Sequence, residues 1–426
     1  MFRREDRVNR NKVTNGKMSI DPPFLRCSLA ICLVAFGCHP AAAQQRRAPS
    51  VPRTAAPQEN FEQVKEKADQ AREAGDLEAA ITLYRKAVTI RPGWVDGWWY
   101  LATILYDKDQ YAEAARAFKQ TVSLQPKVGA PPVMLGLCEF RLGDYDNALK
   151  HLQQGRRLGI GDNQELSRVM RFHEGLLMLV KGEFETAQRI FDSLSYDNMN
   201  QEDLIIAHGL ASLRLAMLPS QVNKDYGDRE VIRRAGFAQH QVAQKNMGDA
   251  QREYDRLVAD YPKAPNVQYA YGLFMSSQRN DEGAIAAFQR EIENSPKHAL
   301  ARLYIAYIRL RNKEAADGLP FAQEAVTLHP RLPLSHYILG RLLFETGETG
   351  KAVEELEAAR RLAPEEPKIH FALSRAYIRA GRKKEAEQAR EIFARLNKAA
   401  EDAAAQGVVR GEVIEEEQEK AKPDSP

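Results

Sequence analysis

The chain has 426 residues, 44% of them hydrophobic and 28% charged, enough for two or three ordinary domains or for one extended repeat array. Its formal net charge is +3, and the surplus sits at the start: residues 1–43 hold seven basic and three acidic residues, which leaves 54 basic against 55 acidic behind them. A body so close to neutrality excludes a polyanion binder that works by bulk charge, and no nucleic-acid partner is expected.

In chain order, residues 1–43 read as an export signal. Arg26 precedes an uncharged run from Cys27 to Cys38, and Ala41-Ala42-Ala43 follows, giving basic, apolar and cleavable regions in sequence. The run is too short for a membrane-spanning helix, which takes about 20 apolar residues. Met18 is a second candidate start, because MSIDPPFLR makes a compact leading region. Within LVAFGCHPAAAQQ, residues 33–45, Cys38 behind Gly37 invites lipidation, whereas the alanines invite plain cleavage after Ala43. Both readings export the protein to the periplasm or cell envelope, with membrane contact only through a lipid anchor or an uncleaved signal. Cleavage after Ala43 would leave Cys138 as the last cysteine, so no intramolecular disulfide is expected.

Residues 44–60, QQRRAPSVPRTAAPQEN, have three prolines and little apolar bulk, the composition of a flexible linker. From 61 to 400 the chain repeats. Pro92, Pro126, Pro262, Pro296, Pro330 and Pro364 fall on one ladder of 34 residues, a period at which one helix-turn-helix unit recurs. In GETGKAVEELEAARRLAP, Gly347 can adopt the left-handed backbone that closes a first helix. Ala352, Leu356 and Ala359 then form the buried stripe of a second helix, which Pro364 ends. The spelling recurs with Ala80, Tyr84 and Ala87, with Ala148, Leu152 and Gly155, and with Ala187 and Phe191. Asp76 and Asp144 stand where a second helix needs its N-cap.

These features resemble the tetratricopeptide repeat family, in which an aromatic, Leu, Gly, Tyr, Ala, Phe or Tyr, Ala and Pro mark each unit. The resemblance implies an all-α, right-handed superhelical solenoid of about ten helix-turn-helix repeats across 61–400. It is strong over 61–162 and 265–400 and degraded in an irregular centre, residues 160–235. There LGIGDNQELS inserts about five residues, and the stretch after Gly209 makes a poor second helix. Residues 401–426, with eight acidic and three basic residues, read as a solvated acidic tail.

A solenoid offers a long concave surface, which in the family is lined by first helices at unit positions 2, 5, 9, 12 and 13. Carried onto this chain, those positions give Trp99 and Tyr106 in the second unit, then Tyr269, Tyr307, Arg311, Tyr337, Arg341, Phe344, Phe371, Arg375 and Arg379. Tyr and Arg combine apolar area with directed hydrogen bonds and anchor interfaces, so the implied occupant is a protein or peptide segment, preferably one with carboxylates. Trp98 is expected in the core. The family's carboxylate clamp places Asn and Lys where this chain has Trp99 and Thr103, so that clamp is not expected.

No catalytic motif, metal set or cofactor-binding loop is spelled in the chain: HExxH, paired CxxC, G-x-S-x-G and GxxxxGK[ST] are absent. His336 and His370 recur one unit apart and read as packing residues rather than a metal pair, and Cys138 reads as a buried apolar residue. The expectation is a non-catalytic interaction scaffold. A lipid-anchored envelope assembly or secretion factor, and an enzyme or glycan binder built on the irregular centre, stand as the other two readings.

Overall fold

The computed structural model describes residues 60–197, 202–222 and 229–405. The signal with Cys38, nearly all of the linker and the acidic tail beyond Ala405 lie outside them. The chain divides into two compact units, whose boundary falls inside one helix, between Val169 and Met170. Among the described residues the regular structure is helical throughout.

The first unit builds three hairpins: α1 (Phe61–Glu73) with α2 (Leu77–Ile90), α3 (Val95–Asp107) with α4 (Tyr111–Leu124), and α5 (Ala130–Arg141) with α6 (Tyr145–Leu158). Each second helix also packs on the next first helix, α2 on α3 and α4 on α5. Local chemistry sets the ends. Asn60 and Gln63 exchange side-chain-to-backbone bonds in a capping box at α1. Asp76 accepts from the Ala79 N–H, and Asp144 accepts from the Asn147 N–H, capping α2 and α6 as their places in the repeat predict.

The boundary helix α7 (Gln164–Val180) leads into α8 (Phe184–Tyr196), α9 (Glu202–Ser212), α10 (Arg229–Ala243) and α11 (Met247–Asp260). Four regular hairpins complete the second unit: α12 (Val267–Ser277) with α13 (Asp281–Asn294), α14 (Ala299–Arg311) with α15 (Ala315–Leu328), α16 (Pro333–Glu345) with α17 (Thr349–Leu362), and α18 (Pro367–Arg379) with α19 (Lys383–Ala405).

Two ladders hold these hairpins. Second helices carry a buried small residue every 34 positions, seen at Ala80, Ala114 and Ala148, then at Ala250, Ala284, Gly318, Ala352 and Ala386, which lets neighbouring backbones approach. Hairpin turns carry a left-handed residue at the same period: Gly75, Asp109, Gly143, then Lys245, Arg279, Lys313, Gly347 and Gly381. From Gly143 to Gly182 the spacing is five longer than the period, and the extra length lies in α7, which has 17 residues against the 12 of α5.

The centre departs from the repeat at α9. After Ser212 the chain turns through Arg214, left-handed at φ 55°, and a short 3₁₀ turn at Pro219–Gln221, and the next described helix is α10. Among the described residues α9 therefore has no second helix of its own and packs directly on α10. The two backbones touch at a reciprocal glycine pair. A Cβ on Gly209 would stand 1.8 Å from the Ile232 carbonyl oxygen, and one on Gly236 would stand 1.8 Å from that of Ile205. Regularity resumes at α12, where Asn266 is left-handed and the fully buried Glu291 carboxylate accepts from the backbone N–H groups of Asn266 and Tyr269, at 3.1 and 3.2 Å.

Candidate partner-binding face

The first helices α14, α16 and α18 lie side by side, α14 touching α16 and α16 touching α18. Their rings are mostly sunk. Tyr307, Tyr337 and Phe344 are between 3% and 8% exposed, yet each carries a guanidinium over its face. Arg311 lies 5.6 Å from the Tyr307 centroid and Arg341 5.8 Å from that of Tyr337, whose hydroxyl accepts from Arg341 at 2.9 Å. Arg375 and Arg379 share the Phe344 ring at 5.1 and 4.0 Å. Such stacking contributes about 0.5–1 kcal/mol per pair at exposed sites, and here it holds long side chains in fixed positions.

The charges on this face are unequally balanced. Arg311 pairs with Asp281. Arg379 donates to the Phe344 carbonyl, and neither Arg375 nor Arg379 has a carboxylate partner among the described residues. On α18, Phe371 at 43% and Ile378 at 47% exposure stand on the same stripe as these two arginines, at i, i+4, i+7 and i+8. Phe371 also packs on Phe393 of α19, with ring centroids 5.3 Å apart. Lys368, 5.9 Å over the Tyr337 ring, and Ile378 were missed in reading the sequence, although they occupy unit positions 2 and 12.

The remaining predicted residues are placed differently. Tyr269 is 1% exposed and packed against Phe288, His298 and Tyr304, so it is a buried residue and not part of the exposed arginine face. In the first unit Tyr106 is 4% exposed against Tyr111, while Trp99 is half-buried, edge-on to Phe118 at 5.5 Å. Trp98, expected in the core, is also only half-buried. Its indole N–H donates to the Pro92 carbonyl at 2.8 Å. That bond explains the two repeated histidines, for His336 and His370 stand at the same unit position and put Nε2 3.0 and 2.8 Å from the carbonyls of Pro330 and Pro364. Because a carbonyl only accepts, both rings donate an Nε2 proton there. Each fastens its first helix to the ladder proline before it.

Cys138 is fully buried, and burial, then Glu139, pushes its thiol up to about 12, which leaves it an unreactive packing residue. Among the described residues, no group of three His, Cys, Asp or Glu side chains could hold a metal ion, and no helix is long and apolar enough to cross a membrane.

A ladder of α-hairpins sharing one core per neighbouring pair, with an aromatic and arginine face along its first helices, defines a helical repeat protein. The family profile described as tetratricopeptide repeat matches residues 101–163, 236–299, 277–333 and 337–403, together more than half of the chain, and a second tetratricopeptide profile matches 67–93. The chain belongs to the tetratricopeptide repeat family, whose members bind protein partners. No curated protein matches it. Among solved structures it is similar to MamA residues 41 to the end from Desulfovibrio magneticus RS-1, at 20% identity over 40% of this chain and 96% of that one, with a TM-score of 0.37. It is also similar to a chain of the APC/C hetero-tetramer Cut9-Hcn1, at 13% identity over 82% of this chain and 89% of that one, with a TM-score of 0.37. Neither likeness bears on partner or location.

Proposed function

We propose that the chain is a non-catalytic scaffold that captures an acidic segment of a partner protein along α14, α16 and α18. The observation that carries this reading is the pair Arg375 and Arg379, stacked on Phe344 with no carboxylate of their own and flanked by the exposed Phe371 and Ile378. A peptide laying carboxylates on the two guanidiniums and an apolar side chain on Phe371 would satisfy both, with stacking having already fixed the donors.

The export reading of residues 1–43 extends this proposal to a scaffold of the periplasm or cell envelope. Palmitate labelling lost in Cys38→Ser would select the lipid anchor, and an N-terminus at Gln44 would select plain cleavage. For the face itself, a photo-crosslinking side chain at Phe371 in the native host should give one dominant adduct. Adding Arg375→Glu and Arg379→Glu should abolish it while helix content and melting temperature hold. An adduct indifferent to both reversals would overturn the assignment.

A further inference from the structure

Beside α9 the second unit carries an open pocket of about 200 Å³, lined by residues of α8, α9, α10, α11 and α12. Most of its surface is apolar, with Phe184, Tyr254 and Tyr269 supplying rings. The polar part is built rather than incidental. Gln188 and Gln239 line the cavity and donate their amide N–H groups to Asp192 at 2.9 and 3.2 Å. Their amide oxygens are thereby turned away from the carboxylate. That of Gln188 accepts from the Ser212 hydroxyl at 3.4 Å, and that of Gln239 accepts from the Tyr254 hydroxyl at 3.2 Å. Gln188 Nε2 also lies 2.7 Å from His208 Nδ1, which ties the amide on its far side. Neither amide can flip without losing bonds, so the wall presents oxygen acceptors in fixed positions.

One lining group is left over. The Tyr269 hydroxyl is buried without a hydrogen-bond partner; the phenol of Tyr304 lies beside it, but no bond of sound geometry joins them. A buried donor left unsatisfied is uncommon and costly. The two guanidiniums on the lining are engaged: Arg214 is paired with Glu185 at 2.5 Å, and Arg189 donates to the Thr186 hydroxyl at 3.4 Å. With most of the lining apolar, a charged occupant would lose more hydration on entry than a neutral one. The size is also selective, since an apolar cavity of about 150 Å³ holds benzene, and this one has room for a ring with one small polar group.

We propose that this cavity is a binding site for a neutral phenolic group, its ring among Phe184, Tyr254 and Tyr269 and its hydroxyl exchanging hydrogen bonds with Tyr269 and the fixed amide wall. The site is independent of the arginine face. A free small phenol and a tyrosine side chain of a partner segment carry the same group, and the test separates them.

The full mature chain is titrated by calorimetry with p-cresol, toluene, benzoate and benzylamine, and with N-acetyltyrosinamide for the peptide source. Saturable binding of p-cresol about tenfold tighter than toluene, with neither ion binding, is expected. Entry of N-acetyltyrosinamide assigns the site to a tyrosine side chain, and its exclusion assigns it to a free phenol. Tyr269→Phe should bring p-cresol down to the toluene level while leaving toluene unchanged. Ala270→Leu, which fills the cavity, should remove both with helix content retained. Absence of saturable p-cresol binding, equal binding of all four probes, or p-cresol affinity unchanged in Tyr269→Phe would each overturn the proposal.

Discussion

The buried histidines show how single residues set the chemistry of the centre. Ser195 Oγ lies 2.7 Å from His208 Nε2 and 2.8 Å from His240 Nδ1, all three residues being at most 2% exposed. Gln188 donates to His208 Nδ1, so His208 must carry its proton on Nε2 and donate to Ser195, which in turn donates to His240 Nδ1. Burial first, then His240, brings His208 down to about 3, and burial lowers His240. The other acid facing this cluster is Asp192, on α8, which burial pushes up to about 6 against the pull of Gln188 and Gln239. The signs oppose. As pH falls through 6.5 the unfolded chain protonates both histidines and the folded chain refuses, so stability is lost. Between about 6 and 3.8 the folded chain alone protonates Asp192, which offsets one histidine and leaves the other unopposed. Stability should therefore fall on acidification from pH 6.5 to 4. Asp192→Asn should steepen that fall and His208→Gln should flatten it, as read from urea midpoints at half-unit pH steps. A midpoint independent of pH in this window would show that the histidines are not held neutral.

At the scale of elements, the left-handed turn is the feature the repeat keeps. Sequence reading found it at Gly347 because glycine is the usual residue with positive φ. It missed Asp109, Lys245, Arg279 and Lys313, which adopt the same conformation in the corresponding turns. For a residue with a Cβ that backbone costs roughly 1–2 kcal/mol, and the stacked helices on either side impose it. Gly347→Ala should then destabilise by about 1 kcal/mol, whereas Arg279→Gly should be neutral or stabilising once the greater freedom of the unfolded chain is counted. Melting temperatures of the two variants compare them directly, and equal losses would deny the turn its role. The alanine ladder, the caps at Asp76 and Asp144, and the stripe of Phe371, Arg375 and Arg379 were legible because each depends on neighbours within one unit. The packing of α9 on α10 was not, because nothing local marks Gly209 and Gly236 as facing one another. Nor could spacing reveal that Tyr269 would be buried against Phe288, His298 and Tyr304, since that depends on the depth at which neighbouring helices pack.

At the scale of the whole molecule, the contacts within each compact unit run between neighbours: the regular first helices pack on their own second helices, α9 packs on α10, and α2, α4, α8, α11, α13, α15 and α17 pack on the helix that follows them. Stability in such an array is close to a sum of unit and nearest-neighbour terms, and folding cooperativity extends only as far as interfaces are strong. The two compact units divide inside α7, which belongs by sequence to the hairpin it makes with α8. Cutting before α7, after Asn163, should therefore preserve more structure than cutting at Val169, which would sever the helix. A fragment of residues 164–405 keeps every described hairpin of the second unit, including the arginine face, and residues 60–163 keep the first three. Both fragments should fold, with helix circular dichroism spectra that add to that of the full chain. The larger fragment alone should reproduce the Phe371 crosslink. All three tryptophans, Trp94, Trp98 and Trp99, lie in the smaller fragment, so fluorescence reports the first unit while circular dichroism reports both. In the full chain the two signals should then give separate urea midpoints. Coincident midpoints together with fragments that fail to fold would mean that stability is shared across the whole chain, and the nearest-neighbour account would have to be abandoned.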